Sequence, residues 1–181
     1  MKNTLKTSLE FTKNILVTGA FKETSRRVEL EITSKLPAAA DQVIVEFGMG
    51  HGNITREILH TISPTSKLYA FEVNEEFCEY VAEHIDDNRL VIVNDGAENL
   101  IKHVGSAVHG FVSSIPFTFF SKEMRQTILQ GAYDSLESDH CFHQVLYSKA
   151  HVKKFKSVFD EVHVKTLLNF PLECIYHCRK K

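Results

Sequence analysis

Residues 45–53 read Val-Glu-Phe-Gly-Met-Gly-His-Gly-Asn. An apolar run closes on Glu46 and Phe47 and meets three alternating glycines, Gly48, Gly50 and Gly52. The helical pattern Ile-Thr-Arg-Glu-Ile-Leu-His-Thr-Ile follows, with Asn53 its predicted cap. The order is buried strand, turn, helix start. Glycine takes positive φ at no steric cost and lets a ligand approach where a Cβ would block it. Glu46 sets a carboxylate beside the turn, where it repels phosphate and can accept from an ammonium group. A dinucleotide-binding turn wants its third glycine at the place of Asn53, and a Walker-type loop wants Gly-Lys-Ser/Thr, which is absent. The stretch therefore points to a ligand with an amino-acid end, such as S-adenosyl-L-methionine, rather than to a pyrophosphate.

Outward from this turn, strand and helix patterns alternate. Strands are predicted at 42–47, 67–73, 89–94, 107–115, 141–148, 161–168 and 173–179, and helices at 24–36, 53–62, 74–86, 97–104, 121–136 and 152–159. Pro37 is the predicted stop of the first of these helices, and Ser121 the predicted cap of the helix at 121–136. Before them, Leu5, Leu9, Phe11, Ile15 and Leu16 recur near helical spacing among lysines, the pattern of an amphipathic helix. Alternation of this kind implies a mostly parallel sheet with helices on both faces. The last two strands are joined by only Asn169-Phe170-Pro171-Leu172, too short for a crossover helix, so they must pair antiparallel. The fold class expected is α/β: a doubly wound, seven-stranded, mostly parallel sheet ending in an antiparallel hairpin, of Rossmann-like type, with an N-terminal helical segment.

A chain of 181 residues with 43% apolar and 24% charged residues suits one domain with a substantial core. Residues 1–37 read as N-terminal helices that cover the cofactor site or dock to a membrane, and 38–181 as the α/β core. Cys78, Cys141, Cys174 and Cys178 form no Cys-x-x-Cys pair and read as reduced, buried thiols, with no metal implied. The greasiest run, 111–120, is too short and broken to span a bilayer. The net charge is −2, unevenly spread: Lys2, Lys6, Lys13, Lys22, Arg26 and Arg27 face only Glu10 and Glu23 in the first 27 residues. A basic end on an acidic body suits contact with something anionic.

In doubly wound sheets ligands sit outside the carboxyl ends of the strands. The first strand end offers Glu46 with Gly48, Gly50 and Gly52. The second offers Glu72, able to accept from both ribose hydroxyls of an adenosine, and the backbone of Val73. The third offers Asp95, able to accept from an adenine amino group, and the Gly96–Ala97 backbone, with helix capping the competing reading of Asp95. The fourth ends in Ser113-Ser114-Ile115-Pro116-Phe117, beside the place of a transferred methyl. His51 and His109 read as structural rather than as bases.

Glu46-x-Gly-x-Gly-x-Gly, Glu72 and Asp95 on three successive strand ends resemble the class I S-adenosylmethionine-dependent methyltransferases. Further stretches resemble the bacterial phospholipid N-methyltransferases within that class. Thr-Gly-Ala at 18–20, followed by a serine, looks like a segment that in the family covers the cofactor, which implies a cofactor role for Thr18. Phe71-Glu72-Val73-Asn74 and Val112-Ser113-Ser114-Ile115-Pro116 match the family's Glu-Ile-Asn/Asp and Val-Ser-Gly-Leu-Pro, and Gln144-Val145-Leu146-Tyr147 its Gln-Phe-x-Tyr strand. Asn169-Phe170-Pro171 through Tyr176 and Arg179 matches its closing Asn-Leu-Pro stretch. Ser114 stands where the family has glycine, and Phe21 to Ser25 lacks the usual proline; both departures touch the acceptor side.

The resemblance implies S-adenosyl-L-methionine as cofactor and the amine headgroup of a phospholipid, such as phosphatidylethanolamine, as acceptor, with a small soluble amine or another aminolipid as the alternative. Ser113 joins the cofactor contacts, while Ser114 and Tyr147 orient the amine. The amphipathic N-terminal helix, with Lys2, Lys6 and Lys13, would give peripheral contact with the inner face of the membrane of a cytoplasmic protein. An rRNA adenine dimethyltransferase carries Asn or Asp at the corner held here by Ser113 and Ser114, and the chain is acidic overall, so no nucleic-acid partner is expected.

Overall fold

A computed structural model describes residues 25–105, 107–169 and 171–181. The sequence readings for the N-terminal amphipathic helix and for Thr18 lie outside them. Among the described residues the helices are α1 (Arg26–Thr33), α2 (Asn53–Thr61), α3 (Glu75–His84), α4 (Leu100–His103), α5 (Lys122–Ser135) and α6 (Val152–Lys156). The strands are β1 (Val43–Phe47), β2 (Lys67–Phe71), β3 (Leu90–Val93), β4 (Gly110–Ser113), β5 (Cys141–Leu146), β6 (Glu161–Leu167) and β7 (Glu173–Arg179).

The seven strands form one sheet in the order β3-β2-β1-β4-β5-β7-β6. β1 pairs in parallel with both β2 and β4, so the chain reverses its direction of winding between β1 and β4. β7 runs antiparallel to β5 and β6, as the four-residue connection requires. Alternation along the strands gives the sheet two greasy faces. One carries Val45, Phe47, Phe71, Phe111, Phe142 and Tyr176 and packs under α4, α5 and α6 through Leu100, Ile128, Leu129 and Phe155. The other carries Ile44, Leu68, Val112, Val145 and Ile175 and packs under α1 and α2 through Val28, Ile32, Ile54 and Ile58. Buried apolar runs on both faces are what a sheet covered on both sides demands.

Several boundaries move, each for a local reason. Glycine, not asparagine, caps α2: Gly52 sits at φ 81° and Asn53 is already helical. α1 ends at Thr33, ahead of Pro37, because the Ser34 N–H turns back to the Glu31 carbonyl. β4 begins only at Gly110, since Ala107 adopts φ 82° and Val108 bridges instead to Leu136. The stretch expected as one helix at 97–104 splits into a 3-10 turn, Ala97–Asn99, and α4. Ser121 does cap α5, accepting from the Met124 N–H.

At the centre of the first face, Phe111 lies 5.5 Å from Phe47 and 5.8 Å from Phe142, ring centre to ring centre, with no exposed surface. Phe111→Ala is expected to destabilise the fold by about 3–5 kcal/mol, through lost transfer energy and a cavity the strands cannot close. Chemical denaturation with equal m-values for both proteins checks it; a loss below about 1 kcal/mol would contradict this placement.

Candidate cofactor and acceptor site at the carboxyl edge of the sheet

The turn after β1 is built by backbone geometry that only glycine takes without strain. Gly48, Gly50 and Gly52 have φ of 83°, 53° and 81°. A Cβ on Gly48 would lie 2.9 Å from Ile115 Cγ2 and 3.1 Å from Ser114 Oγ, so the turn nests against the loop after β4. A Cβ on Gly50 would meet nothing within 4 Å among the described residues. The turn is thus packed behind Gly48 and open in front of Gly50, where the winding reverses and a ligand is expected.

Glu46 supplies the charge. It is 1% exposed; Oε2 accepts from Thr55 Oγ1 of α2 at 2.7 Å, while Oε1 has no hydrogen-bond partner among the described residues. Burial drives this carboxyl up to about 8, with the nearby charge of Glu72 adding to the rise and the Thr55 bond opposing it. A buried acceptor without a donor is costly. An ammonium group at Oε1 removes that cost and favours the ionised carboxylate.

Glu72, at the tip of β2, is also buried. Its Oε2 accepts from the Gly50 N–H at 3.0 Å and its Oε1 from the Asn74 N–H at 2.9 Å. Burial raises its pKa, and these backbone donors pull against the rise. Glu72 therefore fastens the glycine turn to the neighbouring strand, and each oxygen keeps a second lone pair for a ligand hydroxyl. Val73 beside it is exposed.

Asp95 follows β3. Oδ1 accepts from the Gly96 N–H at 2.8 Å and from Asn99 Nδ2 at 2.7 Å; Oδ2 lies 2.9 Å from His103 Nε2. Burial pushes its pKa upward, but His103, Gly96 and Asn99 outweigh that and hold it below the usual carboxylate range. The side chain organises its own loop, with Gly96 buried and Ala97 partly exposed beside it.

Two serines behave differently from the sequence expectation. Ser114 donates its hydroxyl to the Gly48 carbonyl at 2.6 Å, so it ties the corner after β4 to the cofactor turn rather than pointing at an acceptor. Ser113 is fully buried, and its hydroxyl has no partner among the described residues. It pairs in register with Phe47 and Gln144, on the face away from Glu46, so the structure does not bring it to the Glu46 cleft. Tyr147, just past β5, is 52% exposed. Its hydroxyl pKa is raised, first by burial of the ring and then by the charge of Glu173. Tyr176 fixes the chain beyond it by donating to the Ser148 carbonyl at 2.7 Å.

Of the histidines, His51 packs on Phe77 and Tyr80, and His109 Nδ1 accepts from the Val43 N–H at 3.1 Å. Both serve the framework. Sequence reasoning missed Thr55 and Gln144. Gln144, wholly buried, donates to the Ile115 and Val145 carbonyls at 3.0 and 2.9 Å and so holds the corner after β4. A lone amide in the apolar run Phe142 to Leu146 was the available signal.

The donor set fits S-adenosylmethionine. The unpaired Glu46 oxygen suits its ammonium, Glu72 its ribose hydroxyls, and the Asp95–Ala97 loop lies at the same edge for a base.

No family model matches the chain. A curated relative, the ornithine lipid N-methyltransferase of Singulisphaera acidiphila, is 25% identical over 151 residues, covering 80% of this chain and 79% of its own. Among solved structures, the precorrin-6y C5,15-methyltransferase of Geobacter metallireducens superposes with a TM-score of 0.73 at 15% identity, covering 87% of this chain and 90% of that one. An rRNA methylase of Streptococcus thermophilus gives 0.67 at 17% identity, covering 89% and 99%. A Streptococcus mutans protein described as a methyltransferase, in complex with SAH, gives 0.65 at 17%, covering 86% and 98%. The fold of this chain is the Rossmann-like fold of the class I S-adenosylmethionine-dependent methyltransferases.

Two outcomes are expected from this geometry. Glu72→Ala weakens S-adenosylhomocysteine binding at least tenfold, about 1.4 kcal/mol, by calorimetry; unchanged affinity would remove Glu72 from the site. For Glu46, the folded chain keeps the proton up to about pH 8, whereas the unfolded chain releases it near its ordinary 4.5. Stability from this group is therefore present at low pH and lost as pH rises through that window. Glu46→Gln escapes the loss, so the ligand-free variant gains in melting temperature over wild type between about pH 5 and about pH 9. A pH-independent difference would show that Glu46 is not buried as described.

Proposed function

We propose that this chain is an S-adenosylmethionine-dependent N-methyltransferase acting on the amine headgroup of a phospholipid, such as phosphatidylethanolamine, or of a related aminolipid. The observation that carries the methyl-transfer reading is Glu46: a buried carboxylate with an unpaired oxygen beside a turn that is open in front of Gly50. The lipid reading is supported by the curated relative, which is named for methyl transfer to ornithine lipid. It is supported also by exposed apolar side chains at the same edge. Leu168 and Leu172 of the β6–β7 connection are 83% and 43% exposed, close in the topology to Tyr147. Such a rim suits an acceptor whose polar head is joined to hydrocarbon. No helix among the described residues is long and apolar enough to cross a membrane, so contact with lipid would be peripheral.

When bound, S-adenosylmethionine supplies a methyl group on a positively charged sulfur, open to in-line displacement. The chain supplies alignment and exclusion of water. Glu46 would hold the ammonium and Glu72 the hydroxyls, while Ser114 and Gln144 keep the corner after β4 against the glycine turn. The acceptor amine is an ammonium near neutral pH and must lose a proton before its lone pair can attack. Tyr147, with its hydroxyl pKa raised, stays protonated and serves to orient the amine; the proton leaves to water.

Expression of the chain in cells rich in phosphatidylethanolamine is expected to convert part of that lipid into forms heavier by one or more methyl groups, read by mass spectrometry of lipid extracts. Methylation confined to soluble amines would overturn the lipid reading, and methyl label confined to ribosomal RNA would overturn the amine reading. Deleting residues 1–16 is expected to abolish sedimentation with anionic liposomes. Equal sedimentation of the shortened protein would remove that segment as the membrane contact.

A further inference from the structure

Strand alternation and the sheet order place four side chains in a row along the carboxyl edge, on the face that α1 and α2 cover. They are Glu46 of β1, Ser114 after β4, Tyr147 after β5 and Glu173 at the start of β7. Glu173 stands opposite Leu167 of β6, and Tyr147 lies one step beyond the Leu146–Cys174 pair, which brings it level with Glu173. Neighbouring strands are about 4.8 Å apart, so the carboxylates of Glu46 and Glu173 are rooted about 14 Å apart across the edge.

Glu173 is 7% exposed. Its partners are neutral: Asn169 Nδ2 donates to Oε2, and Ser25 Oγ lies 3.5 Å from the same oxygen. Asn169 Nδ2 also reaches Ser25 Oγ at 2.9 Å, so the three form a closed polar cluster. No Lys, Arg or His side chain pairs with Glu173 among the described residues. The two other buried glutamates away from the cofactor turn, Glu29 and Glu57, both receive Arg26, and the partly buried Glu31, also on α1, receives Lys165 and His177. A carboxylate buried among neutral donors leaves its charge uncompensated, which is costly unless a cation arrives.

We propose that Glu173 is the acceptor-binding carboxylate: it meets the positive charge of the amine substrate, with the Tyr147 ring as the adjoining wall. The inference rests on the amine-acceptor reading above and adds the residue that selects a cationic headgroup. Glu46 takes the ammonium of the cofactor at one end of the row and Glu173 draws the acceptor ammonium at the other. That ammonium nitrogen is itself the reacting atom: it enters from the Glu173 side, loses its proton to water and attacks near the corner after β4. Asn169 and Ser25 hold the Glu173 carboxylate in place, and an exposed aromatic face beside it suits a cation.

The test compares wild type, Glu173→Gln and Glu173→Asp, each loaded with S-adenosylmethionine, on dioleoyl phosphatidylethanolamine in neutral detergent micelles. Calorimetry with S-adenosylhomocysteine controls for folding and for an intact cofactor site. The expected result is unchanged cofactor affinity, a KM for the lipid raised at least about tenfold in Glu173→Gln with a smaller change in kcat, and partial recovery in Glu173→Asp. Equal KM values for wild type and Glu173→Gln would overturn the role of Glu173 while leaving the enzyme an aminolipid methyltransferase. A loss of cofactor affinity equal to the loss of activity would assign Glu173 to the framework and overturn the proposal. No methylation of the lipid by wild type would overturn the phosphatidylethanolamine reading, and this inference with it.

Discussion

A carboxylate buried at the tip of β1, with one hydrogen bond among the described residues, is the constraint around which the rest of this molecule is arranged. Glu46 has Thr55 on one oxygen and nothing on the other among the described residues. Apolar strands on each side exclude water from it. Its position next to Gly48 puts the unsatisfied oxygen where the chain turns, and the turn exists because glycines accept left-handed backbone there. Glu72 then clamps Gly50 from the neighbouring strand, and Ser114 clamps Gly48 from the other side. The loops on both sides of β1 thus hold one small open space rigid. Rigidity of that kind is what lets a cation be recognised by a single buried acceptor rather than by a solvated cluster.

Much of this was legible in the sequence because it depends on periodicity and on residue types with one strong physical preference. The alternating strands and helices, the antiparallel closing pair and the positive-φ glycines all follow from chain geometry. What was not legible depends on neighbours distant in sequence. Asn53 is a good cap by composition, yet Gly52 already holds the left-handed position and takes that place. Ser114 looked free to meet an acceptor, but a carbonyl 66 residues away lies within reach of its hydroxyl. Asp95 looked poised for a base, and its own loop supplies three donors. The roles of Thr55 and Gln144 were not legible, because a buried polar side chain declares its partner only in three dimensions. Ser113 stands one step of the strand period from Ser114, which places its side chain on the face opposite Glu46.

The sheet order also separates two tasks. β1, β2 and β3 carry the carboxylates suited to the cofactor, while β4, β5 and β7 carry the corner and wall suited to an acceptor. Solved proteins that share this fold are described as acting on substrates as unlike as rRNA and a precorrin, so fold alone does not choose the acceptor. In this chain the acceptor half has an exposed tyrosine, exposed leucines and a buried glutamate with neutral partners. A polar, negatively charged point beside exposed hydrocarbon suits an amine carried on a lipid.

If Glu46 is the ammonium acceptor, filling the site must change its protonation. Near pH 7 the ligand-free carboxyl holds its proton, since burial sets its pKa at about 8, and an ammonium at Oε1 drives that proton off. Calorimetric titration with S-adenosylhomocysteine in buffers of different ionisation heat counts the protons exchanged. Close to one proton is expected to be released per ligand bound at about pH 7, and none in Glu46→Gln. Binding without proton release, or with the same release in Glu46→Gln, would contradict this role of Glu46.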